Sequence, residues 1–247
     1  DWSSDVCSSD LRQWLSPPDP SVNRQKAHKQ RQEGTGLWLL NSDKYTRWKT
    51  DDASILWLYG IPGCGKTILS STIIQDLFQH CVDDPGKVIA YFYFDFNDLE
   101  KQSPELMVRS LICQFSQKCV RIPASLETLF TSCEYGQQYP SLDSLLDVLQ
   151  QMIKEYPQSY IIIDALDECK DGAGLTDILE QMTRWQLDKL HLLITSRTGR
   201  EIQFSPGSPI EDQNFICLQS RFVDNDIQKY LGAAAGCPPC ARPPRTR

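Results

Sequence analysis

The sequence contains no apolar run approaching the roughly 18 residues that a membrane-spanning helix requires, so no membrane span is expected. It does not open with a basic stretch followed by an apolar core, so no secretory leader is read at its start. Positive charge is in deficit: 25 Lys and Arg stand against 32 Asp and Glu, a net charge of −7. Phosphate backbones attract basic surfaces, so nucleic acid is not the expected partner, although local basic patches remain compatible with one. A disulfide framework is missing too, because the ten cysteines are irregularly spaced. Cys64 lies inside a glycine-rich stretch where a bridge would be disruptive. A reducing interior, cytosolic or nuclear, is therefore expected, with the cytoplasm taken as the location.

What is present is enough chain, 247 residues at 40% hydrophobic, for one large α/β domain with or without flanking pieces. The two ends differ from the rest. Residues 1–11 (DWSSDVCSSDL) match the translation of a sequencing-adapter oligonucleotide and are expected to be a disordered artefact outside the fold. Residues 232–247 are rich in Gly, Ala, Pro and Arg and lack helical or strand periodicity, as a loose tail or a frame error would. Cys237 and Cys240 form a CxxC spacing there, but neither a helix start nor a second cysteine pair supports redox or metal chemistry.

Residues 12–54 read as a helical or linker segment leading into a core at 55–231. Arg24, Lys26, Lys29 and Arg31 cluster in it and are read as a solvated helix face rather than a binding patch. Five segments read as strands: Ile55–Tyr59, Val88–Phe96, Tyr160–Ile163, His191–Thr195 and Phe215–Leu218. Between them, Lys66–His80 carries one apolar stripe at helical spacing. Ser103-Pro104-Glu105 is a helix start, with a hydroxyl cap, a proline in the first turn and an acid at the positive end. Ser141 caps a further helix, and Phe222–Leu231 looks helical. Strands alternating with helices imply an α/β fold, a three-layer sandwich around a mainly parallel five-stranded sheet. Continuous apolar strands fit a sheet covered on both faces.

The stretch Leu58-Tyr-Gly-Ile-Pro-Gly-Cys-Gly-Lys-Thr67 contains the pattern of a P-loop, Gly60-x-x-x-x-Gly65-Lys66-Thr67. Glycines without Cβ let the backbone of Gly60, Ile61, Pro62, Gly63, Cys64 and Gly65 wrap an anion closely. The following helix begins near Gly65 and points its free N–H groups and positive dipole end at phosphate. Lys66 is assigned to the β/γ-phosphates and the Thr67 hydroxyl to Mg²⁺. The pattern follows a buried strand and opens a helix, which is the context this assignment needs.

Mg²⁺ also calls for an acid on a neighbouring strand, and Ile161-Ile162-Ile163-Asp164 supplies Asp164 at a strand end. Asp167 and Glu168 follow at the mouth of the sheet, where one of them would orient or deprotonate attacking water; a solvated acidic turn is the plainer alternative. Arg197, after the fourth strand, would reach the γ-phosphate; a surface arginine is its alternative. Asp95, Asn97 and Asp98 are read as capping residues in preference to ligand contacts.

With these residues together the chain resembles the NACHT-type STAND P-loop NTPases, and within them the nephrocystin-three-like modules of fungal NOD-like and ankyrin-repeat proteins. The resemblance rests on WLSPPDPS (14–21), GTGLWLL (34–40), LWLYGIPGCGKTILSSTII (56–74), FYFDFND (92–98), IIIDALDEC (161–169) and LLITSR (192–197). It implies an ATP- or ADP-binding switch with slow turnover, working through self-association of a larger protein in signalling. It assigns Gly60, Gly63, Gly65, Lys66 and Thr67 to phosphate and Mg²⁺, Asp164 to Mg²⁺, Asp167 and Glu168 to water and Arg197 to sensing. Such switches carry further helical, winged-helix and repeat domains, so the chain is expected to be a piece of one. Two other readings stay open. A kinase needs an arginine-bearing lid, which Arg184, Arg197 and Arg200 leave possible; a GTPase would carry Asn-Lys-x-Asp, which is not found. A non-catalytic scaffold stabilised by nucleotide would share the same fold.

Overall fold

The computed structural model describes residues 7–119, 121–197, 215–218 and 226. Before the first strand come four helices: α1 (Ser8–Leu15), α2 (Ser21–Gln30), the single turn α3 (Leu37–Leu40) and α4 (Asp43–Thr50). Then follow β1 (Ser54–Tyr59), α5 (Lys66–Cys81), β2 (Lys87–Tyr93), α6 (Pro104–Ser116), α7 (Ala124–Ser132), α8 (Leu142–Lys154), β3 (Gln158–Asp164), α9 (Gly172–Arg184), β4 (Leu190–Ser196) and β5 (Phe215–Cys217). Short 3₁₀ turns at Leu99–Gln102 and Leu166–Glu168 precede α6 and α9.

The five strands form one wholly parallel sheet in the order β2-β3-β4-β1-β5, the α/β sandwich expected from the strand–helix alternation. Side chains alternate between its faces, as strand geometry demands. Val88, Ala90 and Phe92 of β2 and Ile161 and Ile163 of β3 join one core with α1 and α6 to α9. Ile89, Tyr91 and Tyr93, with Tyr160 and Ile162, join the other with α3, α4 and α5. Burial on both faces explains why these strands read as unbroken apolar runs.

Several local expectations are corrected. Residues 8–11, expected to lie outside the fold, open α1, because Leu11, Trp14 and Leu15 share one helical face and are buried. The Trp14 indole N–H donates to the Gln138 carbonyl at 2.8 Å, and its ring meets Phe130 edge-on at 5.1 Å. β2 stops at Tyr93 rather than Phe96, because the Asp95 carboxylate accepts the Asn97 N–H and turns the chain. The helices α7 and α9 add to the elements expected from the sequence. The basic face of α2 is not wholly solvated: the Arg24 guanidinium lies over Phe78 at 5.2 Å and Tyr91 at 5.8 Å. The helix read at 222–231 lies outside the described residues except for Asp226, as do residues 232–247 and Arg200. Among the described residues no helix is long and apolar enough to cross a membrane.

Candidate functional site

All strands being parallel, their carboxyl ends share one edge, where a crevice for ligands arises in such sheets. Register then decides which residues meet there. Tyr59 pairs with Ser196, so the loop after β1 starts beside Arg197. Ile163 pairs with Ile194, so Asp164 lies beside Thr195. The acid was expected on a strand adjoining β1, but it lies one strand further away, with β4 inserted between them. The gap is closed by side chains of β4 and α5.

Gly60 to Gly65 form the loop, with φ of +78° at Gly63 and +90° at Gly65, a region that disfavours any residue with a Cβ. Pro62 shapes the loop but brings no N–H. Ile61 stands exposed at the tip and Cys64 is buried. The Lys66 ammonium donates to the carbonyls of Gly60 at 2.8 Å and Ile61 at 3.0 Å, lying across the mouth of its own loop.

Asp164 is buried and accepts three hydroxyl hydrogen bonds. Thr67 donates to Oδ2 at 2.7 Å, while Ser70 at 2.6 Å and Thr195 at 2.7 Å donate to Oδ1. Burial pushes its pKa up; the three hydroxyls and the Lys66 charge oppose that rise. Ser70 and Thr195 thus add to the site residues expected from the sequence. Ser70 was legible in principle, three residues after Thr67 and so on the same helical face. Thr195 was not, because nothing local aims it at Asp164.

Beyond Asp164 the chain turns sharply. Ala165 holds φ +57° and ψ +51°, a left-handed conformation that costs a residue with a Cβ about 1–2 kcal/mol. Its N–H donates to the Thr195 hydroxyl at 2.9 Å and its carbonyl accepts from the Glu168 N–H at 2.9 Å. This turn delivers Asp167 and Glu168 to Arg197. Asp167 accepts the Arg197 backbone N–H at 2.8 Å and its guanidinium Nε at 2.8 Å. Glu168 lies 4.0 Å from the same guanidinium, and its Oε2 accepts the Phe96 N–H at 3.1 Å. Partial burial raises the Glu168 pKa, the charges of Asp167 and Asp95 raise it further, and Phe96 and Arg197 oppose them. Asp167 and Glu168, expected at the mouth of the sheet, and Arg197, expected after the fourth strand, are therefore together, with Arg197 held by the acids.

On the other side of the loop lies a cavity of about 360 Å³, within the ~300–1,000 Å³ usual for small-molecule sites. Trp38, Ile68 and Leu69 give it apolar walls, Gln30, Gln32 and Thr35 polar ones, and Gly63 to Gly65 a shared border with the phosphate loop. Asp226 also lines it, accepting from the Gly36 N–H at 2.8 Å and the Trp38 indole N–H at 3.1 Å. None of this was visible in the sequence, since Asp226 and Trp38 are 188 positions apart.

The oxygen donor set of Thr67 and Asp164 suits Mg²⁺, a hard cation. Among the described residues no group of three or more His, Cys, Asp or Glu could hold a metal ion alone. Mg²⁺ here would take its remaining ligands from phosphate and water, as it commonly does.

Comparison with known proteins adds the following. Residues 34–197 match the family model described as Nephrocystin 3, N-terminal. The chain is similar to the vegetative incompatibility protein HET-E-1 of Podospora anserina, 27% identical over 207 residues, 81% of this chain and 15% of that protein. It is also similar to a proteasome-associated ATPase of Saccharomonospora viridis, 34% identical over 71 residues, 29% of this chain and 11% of the other. It thus spans less than a sixth of either curated relative. Among solved structures, the Aeropyrum pernix ORC1 protein in complex with DNA aligns at 15% identity and TM-score 0.46, covering 95% of this chain and 51% of that one. Cdc6p from Pyrobaculum aerophilum aligns at 14% identity and TM-score 0.47, covering 92% and 54%.

Proposed function

The chain belongs to the family described as Nephrocystin 3, N-terminal, and on that premise we propose that it is an ATP- and ADP-binding switch module that uses Mg²⁺ and hydrolyses its nucleotide slowly. One observation carries the reading. The Thr67 hydroxyl of the phosphate loop sits 2.7 Å from the buried Asp164 carboxylate, which supports reading phosphate-holding and metal-holding halves as one site.

The roles follow from chemistry and position. Backbone N–H groups at the start of α5 receive the phosphate tail. Lys66, now satisfied by two loop carbonyls, exchanges them for β/γ-phosphate oxygens. Thr67 and Asp164 would hold Mg²⁺, which would supply positive charge to the phosphate oxygens. The cavity bordering Gly63–Gly65 takes the base and ribose, with the Trp38 ring as an apolar wall. Glu168, with its raised pKa, and Asp167 orient the attacking water. Arg197 leaves Asp167 for the γ-phosphate and so distinguishes ATP from ADP.

The similarity to a protein named for vegetative incompatibility supports placing the module in a self/non-self signalling protein, and the free cysteines among the described residues fit a cytoplasmic one. Self-association would then belong to the full-length protein. A second reading, a scaffold stabilised by nucleotide without turnover, is favoured by the ion pair that already engages Arg197 with Asp167.

Thermal unfolding titrated with Mg-ATP, Mg-ADP and Mg-GTP tests the binding step. At 100 times the dissociation constant, nucleotide should stabilise the protein by about 2.7 kcal/mol. Lys66→Ala should abolish that shift. Indifference to all three nucleotides would remove the proposal, and phosphate release that survives Glu168→Gln would remove the role given to Glu168.

A further inference from the structure

We propose that Asn23 on α2 is a positioning residue for Glu168, acting through the Asp95–Gln102 loop, so that the docking of α2 governs turnover at the site. The inference rests on the hydrolytic reading above, but the contacts behind it are independent of that reading.

The loop between β2 and α6 is tied into a closed unit. The Asp95 N–H donates to the Lys101 carbonyl at 3.1 Å, the Asp98 N–H to the Asp95 carbonyl at 3.0 Å and the Lys101 N–H to the Asp98 carbonyl at 2.9 Å. Gln102 Nε2 donates to the Phe96 carbonyl at 2.6 Å. A loop so braced moves as one piece, and from it the Phe96 N–H reaches Glu168 Oε2 at 3.1 Å. Where the loop sits therefore decides where that acid is held.

Asn23 fastens both ends of the same loop to α2. Its Nδ2 donates to Asp95 Oδ2 at 3.0 Å and its Oδ1 accepts from Lys101 Nζ at 2.6 Å. An ammonium offers only donors and a carboxylate only acceptors, so a single amide orientation satisfies both. Lys101 is 6% exposed, with Asp98 as its ion-pair partner at 3.4 Å. Without Asn23, a buried cation that faces the charges of Asp98, Asp95 and Asp19 loses a hydrogen-bond partner, and the loop loses this tie to α2.

The other side of α2 lies on the helix that follows the phosphate loop. Ser71 of α5 donates to the Arg24 carbonyl at 3.3 Å, and Arg24 covers Phe78 of the same helix. One helix thus touches both halves of the site, the phosphate-holding helix directly and the acid through the Asp95–Gln102 loop. The groups facing Glu168 are Asp167, Asp95, Arg197 and the Phe96 N–H. Of these, Asp95 and Phe96 move with the loop.

The test compares the whole chain with Asn23→Ala, Asn23→Asp and a control, Lys26→Ala, an exposed position on the same helix. Asn23→Asp keeps the side-chain shape and the acceptor for Lys101 but sets a carboxylate against Asp95, so it serves if the alanine variant does not fold. We expect both Asn23 variants to bind Mg-ATP within about twofold of the parent while single-turnover hydrolysis falls about tenfold. The acid limb of the pH–rate profile should move up, because the Phe96 N–H favours the ionised acid. Hydrogen exchange across residues 94–103 should quicken about tenfold relative to Lys26→Ala. Exchange matching the control overturns the proposal, as does hydrolysis unchanged while exchange quickens. A parent that binds nucleotide and never releases phosphate sinks the hydrolytic reading instead, and exchange in the loop still decides whether Asn23 positions it.

Discussion

Replacing Thr195 by valine tests the joint between the two halves of the site. The Thr195 hydroxyl is fully buried on β4, the strand that separates the phosphate-loop strand from the acid strand. It donates to Asp164 Oδ1 at 2.7 Å and accepts the Ala165 N–H at 2.9 Å. Valine keeps the shape and removes both bonds. A hydrogen bond to a charged group contributes about 1.5–3 kcal/mol, and a buried donor left unsatisfied costs about 1–3 kcal/mol. The two losses share one oxygen and do not simply add, so we expect about 2–4 kcal/mol of destabilisation. For a chain of this size that corresponds to a fall in Tm of roughly 5–15 °C. The Asp164 carboxyl, short of one donor, should also titrate higher, weakening Mg-ATP binding more at pH 6 than at pH 8. Denaturant unfolding followed by circular dichroism gives the first quantity, and calorimetric titration at the two pH values the second. A variant within about 0.5 kcal/mol of the parent, binding Mg-ATP equally at both pH values, would refute the reasoning that β4 joins the halves through this hydroxyl.

Three further outcomes are expected. The buried His191 is held neutral between the Trp48 carbonyl at 2.7 Å and Gln158 at 3.0 Å, and burial lowers its pKa to about 4 from 6.5. The unfolded chain therefore binds the extra proton first as pH falls. The stability in question is complete above about pH 6.5 and is lost between there and pH 4, reaching about 2 kcal/mol by pH 5. Urea midpoints at pH 7 and pH 5 measure it, and a His191→Gln variant should show a correspondingly smaller difference. Trp38→Ala removes one apolar wall of the cavity beside the phosphate loop, so Mg-ATP affinity should fall about tenfold while inorganic triphosphate binding is unchanged, read by competition titration. Arg197→Ala removes a half-exposed ion pair, so stability should change by less than about 1 kcal/mol, while the preference for ATP over ADP disappears in parallel affinity measurements.

The alternation of strand and helix, and the apolar character of both strand faces, sufficed to read a doubly covered parallel sheet. Helices with weaker punctuation were missed although their spacing was present. Leu175, Ile178, Leu179 and Met182 line one face of α9, and Leu126 and Phe130 anchor α7. Leu11, Trp14 and Leu15 make the same pattern in α1, across the boundary expected at residue 11.

The sequence alone determined the phosphate loop, because its chemistry is local: glycines, an ammonium and a helix start lie within eight consecutive residues. It also placed Asp164 at a strand end, since a buried apolar run followed by an acid is a one-dimensional pattern. Only the tertiary structure decided what those groups touch. The insertion of β4 between β1 and β3 is a matter of strand order, which no local propensity encodes. It brings Thr195 to Asp164 across 31 positions, while the packing of α5 brings Thr67 across 97. Asp226 meets Gly36 across 190 positions, and Asn23 meets Lys101 across 78. Hydrogen bonds are short-ranged and directional, so such pairings arise only once packing has fixed which distant surfaces meet.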